Sequence, residues 1–135
     1  MHVLRYVSLL VFTLPLTVFA QDAPPAKEDP SAFADALNAC EPATFKMPHP
    51  LIRPFFIVHT VHGPKEGRCR YDQTMPGDMT MECAFDEEGR KLMAEEIRKM
   101  ARGEITHGST KGPQPAWTKQ CEVVTKDGQR MPFGR

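Results

Sequence analysis

The stretch Gly67–Phe85, GRCRYDQTMPGDMTMECAF, constrains the fold more than any other part of the chain. Pro76 has a fixed φ and Gly77 is free to take φ > 0, so Met75-Pro76-Gly77-Asp78 suits a type II turn. On both sides of it the polarity alternates. Cys69, Tyr71 and Gln73 share one face before the turn, and Met79, Met81, Cys83 and Phe85 share it after the turn. Period two on both arms predicts a β-hairpin with one dry face. If Thr74 pairs with Asp78, Cys69 falls opposite Cys83 at a separation that a disulfide spans. The four-residue turn would instead pair Met75 with Asp78, a one-residue slip that sends the two thiols to opposite faces.

The chain has 135 residues, and its beginning is not fold material. Met1–Tyr6 carries one Arg and no acid, Val7–Leu16 is almost unbroken apolar, and Val18-Phe19-Ala20 precedes Gln21. This is the pattern of a secretory signal peptide over residues 1–20, and its apolar run is short for a membrane span. Of 17 basic residues only Arg5 lies there, which leaves 16 against 17 acidic in the exported part. A balanced charge predicts neither nucleic acid nor an anionic membrane surface as partner, and no membrane insertion after cleavage. All four cysteines, Cys40, Cys69, Cys83 and Cys121, follow the signal. An even count in a small exported chain implies two disulfides and an oxidising compartment, periplasmic or secreted. The hairpin register selects Cys69–Cys83 and leaves Cys40–Cys121. None of the cysteines is close enough to another to form a thiolate metal site, and no metal or cofactor is expected.

The remaining chain predicts a small α+β domain over residues 30–128, with a flexible leader at 21–29 and a polar tail at 129–135. Asp29-Pro30 opens a first helix to about Cys40, with Phe33, Leu37 and Cys40 on one edge. Four prolines between Glu41 and Pro54 hold an extended connector. Phe55–His62 is a strand, and a five-residue loop, Gly63–Gly67, returns the chain with His62 paired to Arg68. Asp86 caps a second helix from about Glu87 to Arg102, with Leu92, Met93, Ile97 and Met100 as its apolar stripe. Glu104–Ala116 has no period and predicts a long surface loop. Trp117, Cys121 and Val123 alternate into a last strand. The expected architecture is therefore an antiparallel β-meander of about four strands with one helix packed on one face and an N-terminal helix.

No catalytic set emerges. Ser31 and Ser109 lack the frame of an activated nucleophile, the thiols are oxidised, and Asp86, Glu87 and Glu88 suit a helix N-terminus. His59 and His62 fall on opposite faces of a strand and cannot share one ion; His59 is expected in the core, bonded to Tyr71 or backbone. Met79 and Met81, with His59 and Tyr71 near, offer the alternative of a periplasmic copper or small-ligand carrier, although methionine also serves as core filling. The leading expectation is a non-enzymatic envelope protein that binds another protein, of the inhibitor, immunity or assembly-accessory type. Its surface is the solvent face of the meander, carrying His62, Arg68, Arg70, Asp72, Thr80 and Glu82.

Overall fold

The computed structural model describes residues 23–104 and 113–133. The expected signal peptide and most of the loop after the second helix lie outside the described residues. Within them, two helices cover one side of a seven-stranded mixed sheet. The strands are β1 (Ala26–Lys27), β2 (Ala43–Pro48), β3 (Phe56–Lys65), β4 (Arg68–Met75), β5 (Met79–Phe85), β6 (Cys121–Val124) and β7 (Arg130–Pro132). They lie side by side in chain order; β1 is parallel to β2 and every other pair is antiparallel.

The sheet is larger than the expected four-stranded meander, for three local reasons. The proline-rich connector supplies β2, whose apolar positions Ala43 and Phe45 alternate into the core. Thr44, in β2, donates to the Pro24 carbonyl at 3.3 Å and its N–H to the Pro25 carbonyl at 2.8 Å, which draws the leader into the edge strand β1. Residues 130–132, expected in a polar tail, return after the Asp127-Gly128 turn as β7, and Phe133 stacks on Trp117 at 5.9 Å. Trp117 itself sits in a 3-10 helix, Ala116–Gln120, so β6 begins only at Cys121.

Both helices form where their caps predict. In α1 (Pro30–Ala39) the Asp29 carboxylate accepts the N–H groups of Ser31 and Ala32, and in α2 (Glu87–Ala101) Asp86 accepts that of Gly89 at 2.8 Å. α2 packs chiefly against α1 and the 3-10 helix. Its buried stripe is therefore rotated from the expected one: Gly89, Met93, Ala94 and Ile97 are inside, whereas Leu92 is 39% exposed. Burial of Phe33, Leu37, Met93 and Ile97 contributes about 1.5–3 kcal/mol each. Gly89 packs closely on the 3-10 helix: a Cβ there would stand 2.6 Å from Gln120 Oε1, so the end of that side chain would have to move.

The two hairpins close differently from expectation. Between β3 and β4, Lys65 pairs with Arg68 across a two-residue turn, Glu66-Gly67, in which both residues have positive φ, 53° and 76°. That geometry matches the twist of the flanking strands. A bulge at His62, between Val61 and Gly63, restores the in-out alternation, with His59 paired to Gln73 two residues from the expected register. Between β4 and β5 a three-residue loop, Pro76-Gly77-Asp78, joins Met75 to Met79, with Gly77 and Asp78 both at positive φ. Cys69 then faces Phe85, and Cys83 faces Tyr71.

This shift is two residues from the expected register, so the faces are preserved while the disulfides change. The bridges are Cys40–Cys69 and Cys83–Cys121, not Cys69–Cys83 and Cys40–Cys121. Cys40 ends α1 in the left-handed region at φ 56°, where the Glu41 N–H closes back on the Ala36 carbonyl at 2.8 Å. Its sulfur ties the helix layer to β4. Cys83 and Cys121 are direct cross-strand partners on β5 and β6. The expected dry face survives: His59, Val61, Cys69, Tyr71, Met81, Cys83 and Phe85 are all buried under the helices.

Candidate interaction face

The side chains that alternate away from the helices form the outer face of the sheet. Here the structure brings together the expected residues His62, Arg68, Arg70, Asp72, Thr80 and Glu82. The bulge lets His62 reach across to Asp72, with Nε2 2.5 Å from Oδ2. Thr80 pairs in register with Thr74 and with Val124, near the turn end of β5. Arg68 donates to the Ala84 carbonyl at 3.2 Å, and Arg70 stands 3.8 Å from Glu82.

Two further residues belong to this face. Glu82 and Glu122 are paired directly across β5 and β6, an arrangement that repels when both are ionised. Arg130 from β7 resolves it by donating to Glu82 at 2.7 Å and to Glu122 at 2.9 Å. Those hydrogen bonds, from Glu82 first and Glu122 second, hold its guanidinium still more firmly protonated than usual. The disulfide Cys83–Cys121 lies one residue along from the opposed glutamates on each strand and fixes their spacing. The one sign of Arg130's place is the Asp127-Gly128 turn before it, since the three residues of β7 are too few to show a period.

A shallow depression of about 300 Å³ opens on this face. Four cationic side chains, Arg68, Arg70, Lys119 and Arg130, line it against two carboxylates, Glu82 and Glu122. The cationic side chains lining it outnumber the carboxylates by two. Compared with known proteins, the chain matches no family profile, no curated protein and no solved structure.

The opposite face is chemically quiet. His59 lies in an aromatic row, its ring centroid 5.9 Å from those of Phe33 and Phe45 and 6.2 Å from that of Tyr71. Its Nδ1 is 2.7 Å from the Tyr71 hydroxyl, which in turn donates to Gln73 Oε1 at 3.1 Å. With the hydroxyl proton directed to Gln73, Nδ1 is the donor and Nε2 carries the lone pair, buried without a hydrogen bond. Desolvation lowers the His59 pKa to about 4 and raises that of Tyr71 well above its usual value. Of the two methionines with soft-ligand chemistry, Met81 is in the core and Met79 is half-buried at the end of β5. Among the described residues no group of three or more His, Cys, Asp or Glu is placed to hold a metal ion, and no helix is long and apolar enough to cross a membrane.

Proposed function

We propose that this protein is exported and acts as a non-enzymatic binding module, docking an acidic patch of another envelope protein onto the outer face of β4–β7. Two formed disulfides and the signal-peptide pattern at residues 1–20 support export. The observation that carries the binding reading is the glutamate pair clamped by Arg130. Two carboxylates are held opposite one another beside a disulfide, inside a depression where bases outnumber acids. Exposed ion pairs of this kind add little stability, but they give a partner a pre-arranged field and lose little entropy on docking.

The test is retention of envelope proteins on the immobilised protein, compared with a variant carrying Arg70→Glu and Arg130→Glu. One discrete partner, released by moderate salt and not retained by the variant, is the expected result. Retention that is unchanged in a folded variant would remove this face from consideration.

A further inference from the structure

The segment from Pro42 to Lys65 contains Lys46, Arg53 and Lys65 and no acidic residue, so the neutral total of the whole chain averages over a segregated distribution. Within it, the β2–β3 connection projects Leu51, 87% exposed, and Ile52, 44% exposed, at one end of the sheet. Phe56 beside it is 46% exposed, with the Lys46 ammonium 4.4 Å above its ring. Apolar side chains on a solvated loop are common. This loop differs in what its backbone does.

Residues 49–55 carry five N–H groups, since Pro50 and Pro54 have none, and four of the five are bonded within the loop. His49 Nδ1 accepts those of Leu51 and Ile52 at 3.1 and 3.0 Å. The His49 N–H reaches the Phe55 carbonyl at 2.9 Å, and that of Phe55 reaches the Ile52 carbonyl at 3.2 Å. The His49 ring packs edge-on against Phe55 at 5.8 Å. A loop with these donors occupied presents few unpaired N–H groups, so its apolar tips can reach the headgroup–acyl boundary while its remaining carbonyls stay hydrated among the headgroups.

We propose that this loop seats the protein on an anionic lipid bilayer, with Leu51 and Ile52 entering the headgroup–acyl boundary and Lys46 and Arg53 meeting lipid phosphates. A convex apolar tip flanked by charge of one sign fits a surface that is anionic above and apolar beneath. The same end of the sheet is apolar on its inner side as well, where Met47, Ile57, Met75 and Met79 are only partly buried. Of the acids near this end, Asp78 pairs with Lys126 at 2.9 Å and Asp127 accepts from Thr125 and Gln129, while the exposed Glu28 follows β1 beside Lys46. The inference does not depend on the charged face of β4–β7, and its variants leave that face untouched.

The test is flotation of the protein, in the form in which it accumulates in the cell envelope, with phosphatidylcholine vesicles containing about one-third phosphatidylglycerol and with phosphatidylcholine alone. Binding about tenfold tighter to the anionic vesicles, and lowered about tenfold by Leu51→Ser with Ile52→Ser at unchanged melting temperature, is expected. Leu51→Trp supplies a reading independent of those variants. The chain has one other tryptophan, Trp117, and it is buried, so the introduced indole should shift its emission to the blue on anionic vesicles only. No flotation, equal binding to both vesicles, undiminished binding of the double variant, or an unmoved emission maximum would each overturn the proposal.

Discussion

The two faces of the central strands put polar groups at alternate positions and treat them in opposite ways. On the inner face, His59, Tyr71 and Gln73 form a short relay that burial keeps uncharged. On the outer face, one residue along in each strand, Arg70, Asp72 and Glu82 reach solvent and pair across strands. Cys69 and Cys83 sit on the inner face with the aromatic row. The inner face holds the packed core, while the outer face carries charge that packing does not require and that the proposed recognition would use. Substitutions on the two faces should therefore separate stability from binding.

Loss of the layer-crossing bridge should have the largest effect. Cys40→Ala with Cys69→Ala opens a loop of 29 residues' separation and should lower stability by about 4 kcal/mol in chemical denaturation. A cost similar to that of an outer-face substitution would erase the distinction between the faces. Next is acid sensitivity. The folded pKa of His59, about 4, lies below its ordinary 6.5. Above pH 6.5 both folded and unfolded states are neutral there; between 6.5 and 4 the unfolded chain takes up a proton that the folded one refuses. Stability should fall on acidification through that window, by about 3 kcal/mol at its lower end, and His59→Leu should flatten this part of the profile.

Gly89→Ala tests packing against propensity. Alanine favours an exposed helix by about 1 kcal/mol, but here its Cβ meets Gln120, so a net loss of about 1–2 kcal/mol is expected by thermal unfolding. Adding Gln120→Ala removes the collision, and the pair should cost less than the sum of the two single changes. The smallest stability effect is at Arg130. Because the ion pairs it makes are solvent-exposed, Arg130→Ala should leave the melting temperature nearly unchanged while weakening partner retention. A large loss of stability there would mean that the glutamate clamp is structural.

Local rules made much of the chain legible. Asp29-Pro30 and Asp86 mark the helix starts within a residue, and strict alternation assigns His59, Cys69, Tyr71, Cys83 and Phe85 to the dry face. Partner choice was harder to read, because a register shift of two residues leaves every face unchanged while exchanging all cross-strand neighbours. Positive φ at both Gly77 and Asp78 centres the three-residue turn on Gly77 and not on Pro76, and that places Tyr71, not Cys69, opposite Cys83, which bonds Cys121 on its other side. The edge strands escaped for a different reason. Ala26–Lys27 and Arg130–Pro132 are too short and too polar to show a period, and pairing with a neighbour defines them. Arg130, the clamp of the outer face, was hidden with the second of these.

The most direct measurement places a photoreactive benzophenone side chain at one position per face and illuminates whole cells. With the probe at Arg70 or Glu122, on the outer face of the sheet, a single cross-linked adduct to one envelope protein is expected. At Glu95, exposed on α2, none is expected. Absence of any adduct from the sheet positions, or the same adduct from Glu95, would contradict recognition through the outer face.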